Sequence, residues 1–411
     1  MNWIKTNVGT FSPFIYGKAI NKQSQLKSGF PVYGSNGIYT YSATELVGPY
    51  AVIIGRKGTV GKVHLSECPC WVSDTAFYVA YKYLEDAYFT YYLLSTLGLE
   101  NMNTDAAVPG LNRDNAHRLE IRIPSNAEER RMLVRPLISI DKKINNNYQI
   151  NKTLEQMSQT LFKSWFVDFD PVIDNALDAG NPIPEALQSR AELRQKVRNS
   201  TDFKPLPAEI RSLFPSEFEE TELGWVPEGW ETNRLENILE LAYGKALKKT
   251  ERIEGDYPVY GSGGVDGSHN EFLVKGPGII VGRKGTVGSL YWEDKDFYPI
   301  DTVFYVKPKK YFSLVYCYQL LKTLGLENMN TDAAVPGLNR NNAYRLDVII
   351  PTQTIIAQYT NIVQTFRYKM DSNHNEIDNL TNLRNTLLPK LISGELSLED
   401  LPDLTTDTEA A

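Results

Sequence analysis

Cysteine is scarce in this chain: Cys68, Cys70 and Cys317 are the only three, which is no basis for a disulfide framework. No apolar run approaches the roughly 18 residues of a membrane span, and the N-terminal MNWIKTNVGT lacks the charged-then-apolar layout of a signal peptide. A cytoplasmic protein with no membrane partner is expected. Catalytic signatures are missing as well. There is no Gly-x-Gly-x-x-Gly, no phosphate-binding Gly-x-x-x-x-Gly-Lys-Ser/Thr and no His-Glu-x-x-His. The Asp-Pro-Pro-Tyr expected for amino-methylation of bases is absent, and Phe169-Asp-Pro-Val172 only imitates it.

What the chain has is itself, twice. Residues Thr96 to Arg113, TLGLENMNTDAAVPGLNR, recur letter for letter from Thr323 to Arg340. The same offset of 227 aligns Gly55-Arg-Lys-Gly-Thr-Val-Gly61 with Gly282 to Gly288, Pro31 to Ser35 with Pro258 to Ser262, and Trp3 with Trp230. A chain built from two copies of one module does one thing twice. The second copy also serves as an internal control. His64, Cys68 and Cys70 have metal-ligand spacing, but their counterparts are Tyr291, Lys295 and Phe297, so no metal site is expected. His64, His117, His269 and His374 all fall opposite residues other than histidine. Glu293-Asp-Lys295 resembles the end of a nuclease motif, yet its counterpart is Ser66-Glu-Cys68.

The net charge of −7 argues against a polyanionic partner only until its distribution is considered. Pro215 to Glu231 and Glu395 to Ala411 each hold six acidic residues and no Lys or Arg. With those twelve set aside, the 43 basic residues outnumber the remaining 38 acidic ones, so the body is mildly basic.

Each copy reads as a mixed α/β module followed by a helical arm. Tyr50–Ile54, Val60–His64 and Thr75–Val79 are β-branched or aromatic runs between turn residues, and Tyr88–Leu97 has helical spacing before Gly98. Beyond Pro124 a stripe steps by four and three: Leu133, Leu137, Ile140, Ile144, Asn147, Asn151, Leu154, Ser158, Leu161. With the offset reduced by one, Tyr359, Val363, Phe366, Met370, Asn373, Ile377, Leu380, Arg384 and Leu387 match it. The shared register predicts that the arms pair as a coiled coil; the alternative lays each helix on its own module. Pro136 is expected to kink the first helix or mark its start, and Asn147 and Asn373 could face one another in an antiparallel pair. The boundaries are a module over 1–125, an arm over 126–168, a connector with one helix over 169–222, a module over 223–352, an arm over 353–395 and an acidic tail over 396–411.

The Gly-Arg-Lys-Gly turns are the strongest candidates for ligand contact. Glycines around Arg56-Lys57 and Arg283-Lys284 allow a tight turn that presents two cations, Thr59 or Thr286, and free backbone N–H groups. Such a tip suits phosphate oxygens, and Arg56 or Arg283 suits a guanine edge. Tyr33, Ser35, Tyr260 and Ser262 precede these turns and join the candidate set. The identical stretches add Asn103, Thr104, Asn112, Arg113, Asn330, Thr331, Asn339 and Arg340, whose polar side chains either cap helices or read base edges. Asp74 and Asp301 read as turn caps. A DNA binder without active-site chemistry is expected.

Two modules, each with Gly-Arg-Lys-Gly-Thr-x-Gly and Pro-Gly-Leu-Asn leading to Ile-x-Ile-Pro and then a long helix, resemble the specificity subunit of type I restriction-modification systems. Leu161-Phe-Lys-Ser-Trp-Phe-Val-Asp-Phe-Asp170, Leu223-Gly-Trp-Val-Pro-Glu-Gly-Trp230 and Leu387-Leu-Pro-Lys-Leu-Ile-Ser-Gly-Glu395 support the resemblance along the whole chain. It departs after each Ile-x-Ile-Pro, where Ser125 to Glu129 and Thr352 to Ile356 replace Pro-Leu-x-Glu-Gln. The resemblance implies a non-catalytic subunit with two target recognition domains joined by an antiparallel coiled coil, in pseudo-twofold symmetry, reading a split site in double-stranded DNA. It implies two modification subunits as partners, which bring S-adenosylmethionine, and restriction subunits, which use ATP and Mg; this chain would hold no cofactor. An arm of about 40 residues spans roughly 60 Å, enough to separate modules by one DNA turn of about 35 Å. Because the modules are alike, an interrupted inverted repeat is expected as the target, with asymmetry arising at Asn36–Val47 against Gly263–Val274. The competing readings are the recognition part of a fused methyltransferase-nuclease and a protein-binding coiled-coil scaffold.

Overall fold

The computed structural model describes residues 1–102, 110–330 and 337–397. The chain forms two compact units: Met1–Tyr148 with the stretch from His374 onward, and Gln149–Asn373.

In the first unit, Trp3–Asn7 pairs antiparallel with Glu120–Pro124, tying the start of the module to its end. A four-stranded antiparallel sheet runs in the order Ile15–Tyr16, Ala76–Ala80, Ala51–Gly55, Val63–Ser66. A three-stranded sheet places Phe30–Gly34 between Gly37–Ser42 and Trp71–Val72. The central strand Ala51–Gly55 is buried throughout, as a β-branched run between two covered faces should be. Helix Leu84–Ser95 covers the four-stranded sheet through Tyr88, Phe89, Tyr92 and Leu93. The second unit repeats this topology with Glu231–Arg234 on Asp347–Ile350, the order Leu239–Tyr243, Val303–Pro308, Gly278–Gly282, Leu290–Glu293, and helix Leu314–Thr323. The strand expected at Val60–His64 begins three residues later, because Gly58 and Gly61, at φ 81° and 72°, prolong the turn.

The arms are helices Ala127–Phe166 and Gln353–Ser393. Pro136 lies inside the first and does not mark its start. Within each unit the arm segments run antiparallel. In the first, Asp141 accepts from Arg384 at 2.7 Å and Glu376 from Asn147 at 2.8 Å, around Ile140, Ile144 and Ile377. In the second, the Tyr359 hydroxyl donates to the Ser158 carbonyl at 3.2 Å and Arg367 to Glu155 at 2.7 Å. The Asn147–Asn373 pairing expected from the stripe is replaced by pairs inside each unit: Asn147 takes Glu376, and Asn373 donates to Asn151 Oδ1 at 2.7 Å.

Each module's core is completed by the end of an arm. Leu391 and Ile392 join Leu133, Leu137 and Phe89 in the first unit. Phe162, Trp165 and Phe166 join Tyr316, Tyr359 and Trp230 in the second. This explains why the quoted arm-end motifs are so apolar.

The connector is more ordered than expected. Helices Asp170–Ala179 and Gln188–Arg198 replace the single expected helix, and a hairpin, Phe218–Thr221 with Gly224–Pro227, follows. The Asp side chains of the first repeat every fourth residue, as do the Arg side chains of the second, so Arg190 grips Asp170 at 2.7 Å, Arg194 pairs with Asp174 and Arg198 with Asp178. The opposite charges are matched rung by rung, which holds two helices of modest hydrophobicity together.

Among the described residues no helix is long and apolar enough to cross a membrane, and no cluster of His, Cys, Asp and Glu could hold a metal. Burial pushes Cys70 up to about 11 and Cys317 up to about 12, so both remain thiols.

Candidate nucleic-acid interface

The Arg-Lys turn grows out of the most buried strand of each module. Gly61 takes a positive φ and approaches the Leu99–Asn101 turn so closely that a Cβ there would lie 2.2 Å from the Leu99 carbonyl carbon. Gly288 meets Glu327 N at 2.3 Å in the same way. The turn is then strapped from both sides. The amides of Arg56 and Lys57 both donate to the Thr75 carbonyl, at 2.9 and 3.0 Å, and the Leu111 amide donates to the Arg56 carbonyl at 2.8 Å. Arg283, Lys284, Thr302 and Leu338 repeat these bonds at 2.9, 3.0 and 2.8 Å. The expected free N–H groups are therefore occupied at Arg56, Lys57, Arg283 and Lys284. The side chains of Lys57, Thr59, Lys284 and Thr286 are exposed.

These straps bring the turn and the repeated Gly-Leu-Asn-Arg together around an unforeseen residue. The Arg56 guanidinium lies 4.9 Å from the centroid of the Tyr16 ring, and that of Arg113 lies 5.0 Å from the same ring. In the second module Arg283 and Arg340 lie 4.8 and 4.6 Å from Tyr243. Arg56 and Arg283 are aimed by one further bond each, to the carbonyls of Asp74 at 3.2 Å and Asp301 at 3.0 Å. Each cation over a ring gains about 0.5–1 kcal/mol at exposed sites, enough to order the side chain without discharging it. Among the described residues no ion pair neutralises Arg56, Lys57, Arg283, Lys284 or Arg340; Arg113 has only Asp114 at 3.6 Å. The Nε atoms of Arg113 and Arg340 are buried without a hydrogen-bond partner. The site is thus a concentrated, half-exposed positive charge with planar donors, a surface suited to phosphate and base edges.

Other candidates take structural roles. Tyr33 and Tyr260 are largely buried in small apolar clusters; the Tyr260 hydroxyl donates to Glu293 at 2.8 Å, and Tyr33 lines an open cavity with Asn36 and His64. Asn112 Oδ1 accepts from the amides of Asp114 and Asn115 at 2.9 and 3.1 Å, and Asn339 caps its helix likewise at 2.9 and 3.3 Å. These two are N-caps. Asn330 Oδ1 accepts from the Gly337 amide at 3.0 Å. Ser35 and Ser262 offer their carbonyls to His64 at 3.3 Å and Tyr291 at 3.1 Å. Among the described residues the Asp74 and Asp301 carboxylates accept no hydrogen bond, and in the first module it is Ser73 Oγ that caps the turn, accepting from the Thr75 amide at 3.3 Å. Asn103, Thr104 and Thr331 lie outside the described residues. Tyr16 and Tyr243 were missed, although the 227-residue offset does align them.

Residues 2–156 and 227–382 match the type I restriction modification DNA specificity domain. The chain therefore belongs to this family, whose members supply DNA sequence specificity and carry no catalytic centre of their own. It is 28% identical over 332 residues to the type I restriction enzyme HindI specificity subunit of Haemophilus influenzae, covering 70% of this chain and 71% of that protein. It is 25% identical over 332 residues to the MjaIX specificity subunit of Methanocaldococcus jannaschii, covering 76% and 70%. The type I restriction-modification S subunit from M. genitalium shares the fold, with a TM-score of 0.57 and 19% identity over 95% of this chain and 96% of that one.

Proposed function

We propose that each Arg–Tyr–Arg cluster reads one half of a bipartite DNA target and that the two half-sites are alike and inverted, making an interrupted inverted repeat. One observation carries this reading: the same pair of arginines on one tyrosine ring, with the same backbone straps, occurs in both modules. Lys57, Thr59, Lys284 and Thr286 supply phosphate contacts whose contribution falls with salt, and Arg56, Arg113, Arg283 and Arg340 supply discrimination between bases. Two modification subunits dock on this chain and methylate adenine within the target, and restriction subunits join them.

The test is to map methylated adenines in DNA from cells expressing this chain with its modification subunit. Two similar half-sequences on opposite strands are expected, and two unrelated ones would overturn the proposal. Replacing Arg56 and Arg283 by Ala should lower DNA affinity of the assembled complex roughly tenfold or more; unchanged affinity would remove these residues from the reading face.

A further inference from the structure

The two modules share their arginines but differ in the wall beside them. In the first, an open cavity of about 430 Å³ is lined by Asn36, Tyr39, Ser73 and Asp74 among others. Its floor is the bare backbone of Gly34, where a Cβ would lie 3.2 Å from the Tyr39 ring and 3.4 Å from Thr75 Oγ1. Gly261 is the same floor in the second module, but the atoms over it are Thr302 Oγ1 at 3.6 Å and Ile300 Cδ1 at 3.7 Å. An isoleucine methyl thus stands where the first module has a phenol ring. Ile300 is the counterpart of Ser73, whose hydroxyl bonds Thr75 Oγ1 at 2.7 Å. Asp266, the counterpart of Tyr39, is tied to Lys249 at 2.9 Å and Arg252 at 3.2 Å. The apolar group that replaces the phenol ring over this floor is therefore the Ile300 side chain, with no hydroxyl at its position. The first wall carries the hydroxyls of Tyr39 and Ser73, while the carboxylates of Asp74 and its counterpart Asp301 are common to both modules. Both walls touch the reading face, since Arg56 and Arg283 donate to the carbonyls of Asp74 and Asp301.

We infer that this wall determines specificity: Tyr39 and Ser73 in the first module, and Ile300 in the second, make two otherwise alike half-sites differ at one base pair. The Ile300 methyl selects the C5-methyl of thymine, whereas the hydroxyls of Tyr39 and Ser73 select a base edge that bonds them, such as the exocyclic amino group of adenine or cytosine. The inference rests on the reading of two like half-sites and adds where their likeness ends.

The experiment combines methylation mapping with binding by the full chain assembled with its modification subunit. The wild-type target should show halves that match except at one position, with thymine in one half. Ile300→Ser should relax that position alone, by roughly tenfold in relative methylation. A duplex with deoxyuridine replacing that thymine removes only the methyl group, and should bind the wild type about five- to tenfold more weakly and the I300S complex equally well. The conservative Ile300→Val should keep the preference, which separates loss of the wall from loss of folding. A fully symmetric target, or wild-type binding indifferent to deoxyuridine, would overturn the inference while leaving the like-half-site reading intact. Two unrelated halves would overturn both.

Discussion

The two modules are alike around their arginine clusters and unlike where they stand on their arms. Around the clusters, even differing residues make the same hydrogen bonds. The Phe14 amide donates to His117 Nε2 at 2.9 Å, and its counterpart, the Leu241 amide, donates to the Tyr344 hydroxyl at 2.9 Å. His64 and Tyr291 likewise serve the carbonyls of Ser35 and Ser262. At the bases the chemistry is reversed. In the first unit the arm residue is acidic: Asp141 accepts from Tyr92 at 2.6 Å and from Arg384 at 2.7 Å. In the second its counterpart is Arg367, which lies 4.3 Å from the centroid of the Trp292 ring and pairs with Glu155, itself bonded to Lys322. What is held constant is the presentation of arginine; how a module is anchored is free to vary.

The largest effects should come from breaking one base while leaving the other intact. Trp165→Ala empties part of the second unit's core and should cost about 3–5 kcal/mol. Hydrogen exchange should lose protection in Gln149–Asn373 while the first unit's sheet amides keep theirs; a uniform loss would show that the units do not open separately. Next, Glu155→Ala strands Arg367, which is 6% exposed, and should cost about 3 kcal/mol. Asp141→Ala strands Arg384, whose side chain is 28% exposed, and should cost about half as much. Equal losses in urea titrations would erase the contrast. Third, Arg113→Ala and Arg340→Ala should each weaken DNA binding by about 1–3 kcal/mol at a base contact, or flatten the salt dependence by about one unit at a phosphate contact. The two substitutions should act alike; a large difference would make the modules unequal readers.

The smallest effect is acid sensitivity. Burial lowers the pKa of both His64 and His117, with Ser35 opposing it for His64 and Arg113 adding to it for His117. A lowered folded pKa means that the unfolded chain binds the proton first, so this stability is present above about pH 6.5 and is lost as pH falls through the folded value. The second module has Tyr291 and Tyr344 in place of these histidines. Melting followed from pH 7 to 5 should therefore weaken the first unit before the second, and His117→Tyr should remove much of the difference.

Local chemistry was legible in the sequence and long-range chemistry was not. Val52, Ile53 and Ile54 announce a buried strand, the four-three stripe from Leu133 to Leu161 announces a helix, and glycines flanking Arg56-Lys57 announce a turn, because each signal lies within a few residues. Tyr16 gives no such sign: its role depends on Arg56 and Arg113, which only the folded module brings to one ring. The burial of Tyr33 was not legible, because a strand residue beside a turn can face either way and only the folded sheet places it in an apolar cluster. Asn112 could cap or read until its helix was seen, and the Asp-Arg ladder between Asp170 and Arg198 joins side chains twenty residues apart in sequence.

The arm ends that complete each core also set the order in which the protein can be finished on the ribosome. The second unit is one continuous stretch and can close soon after Asn373 emerges. The first unit needs Leu391 and Ile392, made more than two hundred residues after Tyr148. At about 5–20 residues per second, its apolar surface at Leu133, Leu137 and Phe89 waits roughly 10–50 s for its cover. The half synthesised first is thus the last to be sealed, and during that interval the nascent chain depends on chaperones or on its own partial collapse.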